Sequence, residues 1–160
     1  GGQLAYAQGQ VGQLSKLLEA SPENEPFYML VAVGRLEEAA EQFAENESLL
    51  DDVSANLTMY VAAKATSKEG IAEEHLARSI ELLTKGDKDS RTIAKLLDVY
   101  GVSDRDAIDE VVDWPMDKRT YLAALAFRHP EDFNYYLGLA KKLNYNRTSP
   151  YLLIKQLKRR

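Results

Sequence analysis

Chemistry at neutral pH runs most often through histidine or cysteine, and this chain has two of the first and none of the second. His75 lies beside Leu76 on the edge of an apolar stripe, and His129 precedes Pro130, which biases its backbone toward extended geometry at a helix start. A capping or surface role is the expectation for His129. With no Cys in the chain and no second histidine three or four residues from either ring, neither reads as a metal ligand and no metal site is expected. Asp104-x-Asp106-x-x-Asp109-Glu110 has the acidity of a calcium loop without its glycine or its spaced terminal Glu, and acids opening a helix answer to the helix dipole instead.

No nucleophile-elbow motif appears, and the glycines stand singly, so phosphate-cradling loops and dinucleotide fingerprints are missing. These observations point to a non-enzymatic chain without catalytic residues or cofactors. Asn46-Glu-Ser48, Asn56-Leu-Thr58 and Asn146-Arg-Thr148 fit the permissive glycosylation pattern, but Asn56 falls inside an expected helix.

The elements that would carry any site are helical. Apolar residues recur at helical spacing almost throughout, and no stretch alternates long enough to argue a strand. The spacing predicts helices over 4–9, 11–20, 25–33, 36–46, 54–66, 72–84, 90–100, 103–112, 116–128, 130–143 and 151–160, about eleven in all. Punctuation supports these bounds: Pro26 in a first turn, Gly34, Gly86 and Gly101 at stops, and Trp114-Pro115 ending a helix. In 36–46, Leu36, Ala39, Ala40 and Phe43 form one stripe and Glu37, Glu38, Glu41 and Glu45 the other.

At 160 residues the chain suits one domain spanning 1–160, able to bury about 70% of its unfolded surface. No apolar run reaches the length of a membrane span and the amino end shows no charged-then-apolar signal pattern, so a soluble domain is expected, assigned to the cytoplasm with a membrane anchor left open for the parent chain. The opening Gly1-Gly2 reads as a piece of something longer. Net charge is −5 but unevenly spread: residues 1–70 carry four Lys/Arg against eleven Asp/Glu, and residues 141–160 carry seven Lys/Arg and no acid.

Ala39-x3-Phe43 is echoed by Ala72-x3-Leu76 and Ala107-x3-Val111, offset by 33 and 35 residues, and recurrence at that period marks helical arrays. Gly34-x-Leu36-Glu37-Glu38-Ala39-x3-Phe43 resembles the turn and second helix of a tetratricopeptide repeat. The run from Leu122 and Leu125 through Pro130 to Tyr136, Leu139, Ala140 and Leu143 is similar to the boundary between two such repeats. The resemblance implies an all-α superhelix, a right-handed stack of antiparallel helix hairpins, and a scaffold or adaptor that offers a groove to a protein or peptide. Some family members clamp a carboxylate with Lys and Asn on first helices. Asn56 and Lys64 stand on such a helix, but no basic pair recurs one unit later, so the clamp is not carried over.

The expected partner surface draws on Phe27, Tyr28, Tyr60 and Lys64, with Tyr135 and Tyr136 from the aromatic-rich end, where nine of fourteen aromatic residues lie from Tyr100 onward. The alternative is a nucleic-acid or anionic-surface binder working through the basic patch Lys141, Lys142, Arg147, Lys155, Lys158, Arg159 and Arg160. A capping helix over 148–160 accounts for the same residues, its apolar Leu152, Leu153, Ile154 and Leu157 docked and its cations solvated.

Overall fold

The computed structural model describes residues 25–32, 34–98, 105–115 and 118–143, except for the side chains of Glu25, Pro26, Tyr28 and Ala32. Nine α-helices occur among them, and no strand: α1 (Glu25–Ala32), α2 (Leu36–Glu45), α3 (Glu47–Leu50), α4 (Val53–Ala65), α5 (Glu69–Thr84), α6 (Lys88–Asp98), α7 (Arg105–Glu110), α8 (Lys118–Arg128) and α9 (Phe133–Lys142). A 3-10 turn, Pro130–Asp132, leads into α9. The chain is all-helical here, with nine helices rather than about eleven. The helices expected over 4–9, 11–20 and 151–160 lie outside the described residues. One short helix, α3, was not foreseen: Asn46 accepts from the Ser48 amide at 3.0 Å and starts a new turn where a glycosylation pattern had been read.

Two turns repeat each other. Arg35 N–H donates to Leu30 O and Gly34 N–H to Val31 O; 33 residues later Lys68 N–H donates to Ala63 O and Ser67 N–H to Lys64 O. Both are Schellman caps, in which a residue in the left-handed region closes the helix. Gly34 has φ 81° and Ser67 φ 60°. The next helix then begins in the same way, burying Ala39 and Phe43 in α2 and Ala72 and Leu76 in α5. Connections this short make α1 and α2, and likewise α4 and α5, antiparallel hairpins.

The core is organised around α4 and α8. Every residue from Ser54 to Ala63 in α4 and from Thr120 to Ala126 in α8 is buried. The reason lies in composition: Ala55, Ala62 and Ala63, with Ala123, Ala124 and Ala126, give both helices slim faces that neighbours can approach from several sides. α4 packs against α2, α3, α5 and α8, while α8 packs against α4, α6 and α9. Hairpins piled strictly in chain order would keep α4 and α8 apart, so their contact makes the arrangement more compact than a simple row.

The end of α8 also closes the end of α6. Arg128 donates to Leu97 O at 2.6 Å and Asp98 O at 2.8 Å, and His129 Nε2 donates to Leu96 O at 2.6 Å. Three last-turn carbonyls thus find partners, with a cation at the negative end of the helix. The surface role expected for His129 is corrected: the residue is 1% exposed and ties two helices together.

Candidate functional site

A groove of about 440 Å³ opens between the two repeating hairpins. Ala40, Phe43 and Ala44 of α2 form one wall, and Ile71, His75, Ala77 and Arg78 of α5 form the other. Leu50 of α3 closes one end, itself 37% exposed, and Asn56 of α4 lies at the bottom. Ala44 and Ala77 are both exposed positions on the walls, and neither puts a long side chain into the space.

The floor is polar and ordered. Asn56 Nδ2 donates to Leu50 O at 3.2 Å and to Asp52 O at 2.9 Å, which fixes the amide orientation and turns Oδ1 toward His75 Nδ1, 3.0 Å away. An amide oxygen only accepts, so Nδ1 carries the proton. Burial pushes the His75 pKa below its ordinary value, partly countered by the charge of Glu74, and the ring is therefore neutral at pH 7. That leaves Nε2 as a bare acceptor with no hydrogen bond from any described residue, on a side chain that lines the groove. The Phe43 ring stands edge-on to the imidazole with centroids 4.6 Å apart and holds its plane.

Charge is concentrated around the rim. Arg78 pairs with Asp51 and, at 3.0 Å, with Glu81, and these partners push its pKa up while Arg78 and Lys85 push that of Glu81 down. Lys64 pairs with Glu69 at 3.1 Å, and Lys68 with Glu37. Asp52, the cap of α4, has its pKa raised by desolvation, partly offset by the amides of Ala55 and Ser54. Glu74 faces the groove without an ion pair to any described residue.

The expected partner residues do not gather here. Phe27, Tyr60 and Tyr136 are core, at 0, 1 and 0% exposure, and as folded they offer no surface to a partner. Phe27 instead packs edge-on against Phe43 at 5.7 Å. The Tyr28 side chain lies outside the described residues. Lys64 is half-buried beside Glu69, and half-buried Tyr135 lies under the Arg105 guanidinium at 4.0 Å. Of the basic patch, Lys141 and Lys142 are exposed at the end of α9, where the helix dipole favours cations; Arg147, Lys155, Lys158, Arg159 and Arg160 lie outside the described residues, as does the proposed capping segment 148–160.

Sequence reasoning passed over Asn56 and His75 as a pair because they stand 19 positions apart on different helices. The available signal was that each interrupts an apolar face, Asn56 beside Leu57 and His75 beside Leu76. Asn56 is fully buried, so its glycosylation pattern is inaccessible in the fold. Among the described residues, no three His, Asp or Glu side chains converge as metal ligands. The groove lining combines apolar side chains with Asn56, His75, Arg78, Glu74 and Glu81, groups that make apolar contacts, hydrogen bonds and charge pairs. No helix among the described residues is long and apolar enough to cross a membrane. No protein-family model matches the chain, and no curated protein or solved structure matches it.

Proposed function

We propose that this chain is a non-enzymatic protein-protein interaction module, a cytoplasmic scaffold or adaptor whose irregular hairpins resemble tetratricopeptide repeats. The observation that carries the reading is the groove between α2 and α5. It joins an apolar wall of Ala40, Phe43 and Ala44 to an opposing wall with Ile71 and Ala77, beside the exposed Leu50. Small exposed residues facing one another across a fixed floor leave room for the side chains of an inserted segment, the arrangement by which helix-lined grooves take peptides. The 33-residue recurrence of the Schellman turn and of buried Ala39 and Ala72 supports descent from repeated hairpins.

The test is a peptide-display selection on the intact chain, repeated with Ala44→Arg and Ala77→Arg. Both positions are exposed, so either arginine fills the groove without entering the core. Selected peptides should bind the native chain and lose about tenfold or more in affinity for both variants. Equal binding to the variants, or no peptide recovered, contradicts the reading.

A further inference from the structure

The two hairpins around the groove are far more acidic than the chain as a whole. Residues 36–84 hold eleven Asp/Glu against only Lys64, Lys68 and Arg78, a net of −8 where the full chain carries −5. All three cations are already engaged, by Glu69, by Glu37, and by Asp51 with Glu81. Glu41, Glu45, Glu73 and Glu74 make no ion pair with another described residue, and all four side chains are exposed on the helices that wall the groove. Like charges held this close repel, an arrangement that a cationic partner relieves.

An independent observation lies inside the groove. His75 is 5% exposed and lines the groove, and its Nε2 accepts no hydrogen bond from any described residue. As a neutral imidazole nitrogen without a proton, Nε2 is an acceptor that an N–H entering the groove can reach.

We propose that the occupant is a protein segment with one apolar face and a lysine or arginine beside it, the apolar face meeting Ala44 and Ala77 and the cation donating to His75 Nε2 within reach of Glu74. This rests on the docking reading above and narrows it to a class of partner. The rim carboxylates attract and orient the segment, and the imidazole, whose proton is committed to Asn56, selects for a donor. An acidic segment meets the same carboxylates as repulsion.

The experiment uses fluorescein-labelled amphipathic peptides of about 15 residues, near the shortest length at which an isolated helix persists. They share one apolar Leu/Ala face and carry Lys, Gln or Glu opposite it, and anisotropy is read with the full chain. The Lys peptide should bind at least about tenfold more tightly than the Gln peptide, with the Glu peptide weaker still, and should weaken as salt screens the rim. Glu74→Gln should cost the Lys peptide about threefold and leave the Gln peptide unchanged. Ala44→Arg should abolish binding of both. Equal binding of all three peptides, lost in Ala44→Arg, overturns the cationic partner and keeps the groove. Lys-peptide binding that survives Ala44→Arg is surface attraction alone and overturns the proposal. No binding by any peptide overturns both readings.

Discussion

Asn56 Oδ1 accepts the Nδ1 proton of His75 across 3.0 Å, joining α4 to α5 beneath an open groove. The same amide donates to Leu50 O and Asp52 O, so one fully buried side chain satisfies three groups from separate turns of chain. Asn56→Ala strands the imidazole N–H alone, because Leu50 O keeps Arg78 Nε at 3.3 Å and Asp52 O keeps the backbone amide of position 56 at 3.1 Å. One stranded group costs about 1–3 kcal/mol, and a loss in that range is expected. Urea unfolding measures it, as a lower midpoint at unchanged slope.

Acidification should destabilise the fold through its two histidines. Burial lowers the pKa of His75, opposed by Glu74; burial also lowers that of His129, with Arg128 acting the same way and Leu96 O and Asp132 opposing. A depressed folded pKa means the unfolded chain takes up protons first, so this contribution is complete above the unfolded value near 6.5 and is lost as pH falls through the folded values. Thermal unfolding should therefore show Tm falling as pH drops below about 6.5. His129→Asn should flatten that fall. The raised pKa of Asp52 works in the opposite sense but in the carboxylate range, outside this window.

Ser54, Thr58, Thr120 and Tyr121 hold buried hydroxyls that find no hydrogen-bond partner among the described residues, all on the two central helices. Burial pushes the Tyr121 hydroxyl well above its ordinary pKa, with Asp52 and Asp87 adding to it. Thr58→Val keeps the shape and removes a stranded hydroxyl, so stabilisation of about 1 kcal/mol is expected. A rise in Tm of several degrees checks it.

Gly34 and Ser67 occupy the same left-handed station of matching turns. Gly34→Ala should cost about 1 kcal/mol and Ser67→Gly should gain up to about that amount, since only glycine adopts this backbone without a Cβ penalty. Chemical denaturation of the two variants gives shifts of opposite sign.

That contrast shows what the sequence made legible. Gly34 announced its turn by residue type, whereas Ser67 did not, because its left-handed backbone is imposed by the hairpin it closes. Helices with a wet and a dry side, such as α2 with its four exposed Glu, were readable from period alone. α4 was readable as a helix but not as a hub, since alanine suits exposed and buried faces equally and only the contact with α8 decides between them. The burial of large aromatics was hidden for a related reason: residue type alone does not say that Phe27, Tyr60 and Tyr136 fill the core, nor that Ala40, Ala44 and Ala77 share a groove with Phe43 and His75.

The central claim, that the space between α2 and α5 is the docking face, is tested most directly by a backbone ¹H–¹⁵N titration of the full chain with the Lys-bearing peptide. The largest shifts are expected at Ala40, Ala44, His75, Ala77 and Arg78, with α8 and α9 unchanged. Shifts centred on α9, or spread without focus over every acidic helix, would contradict it.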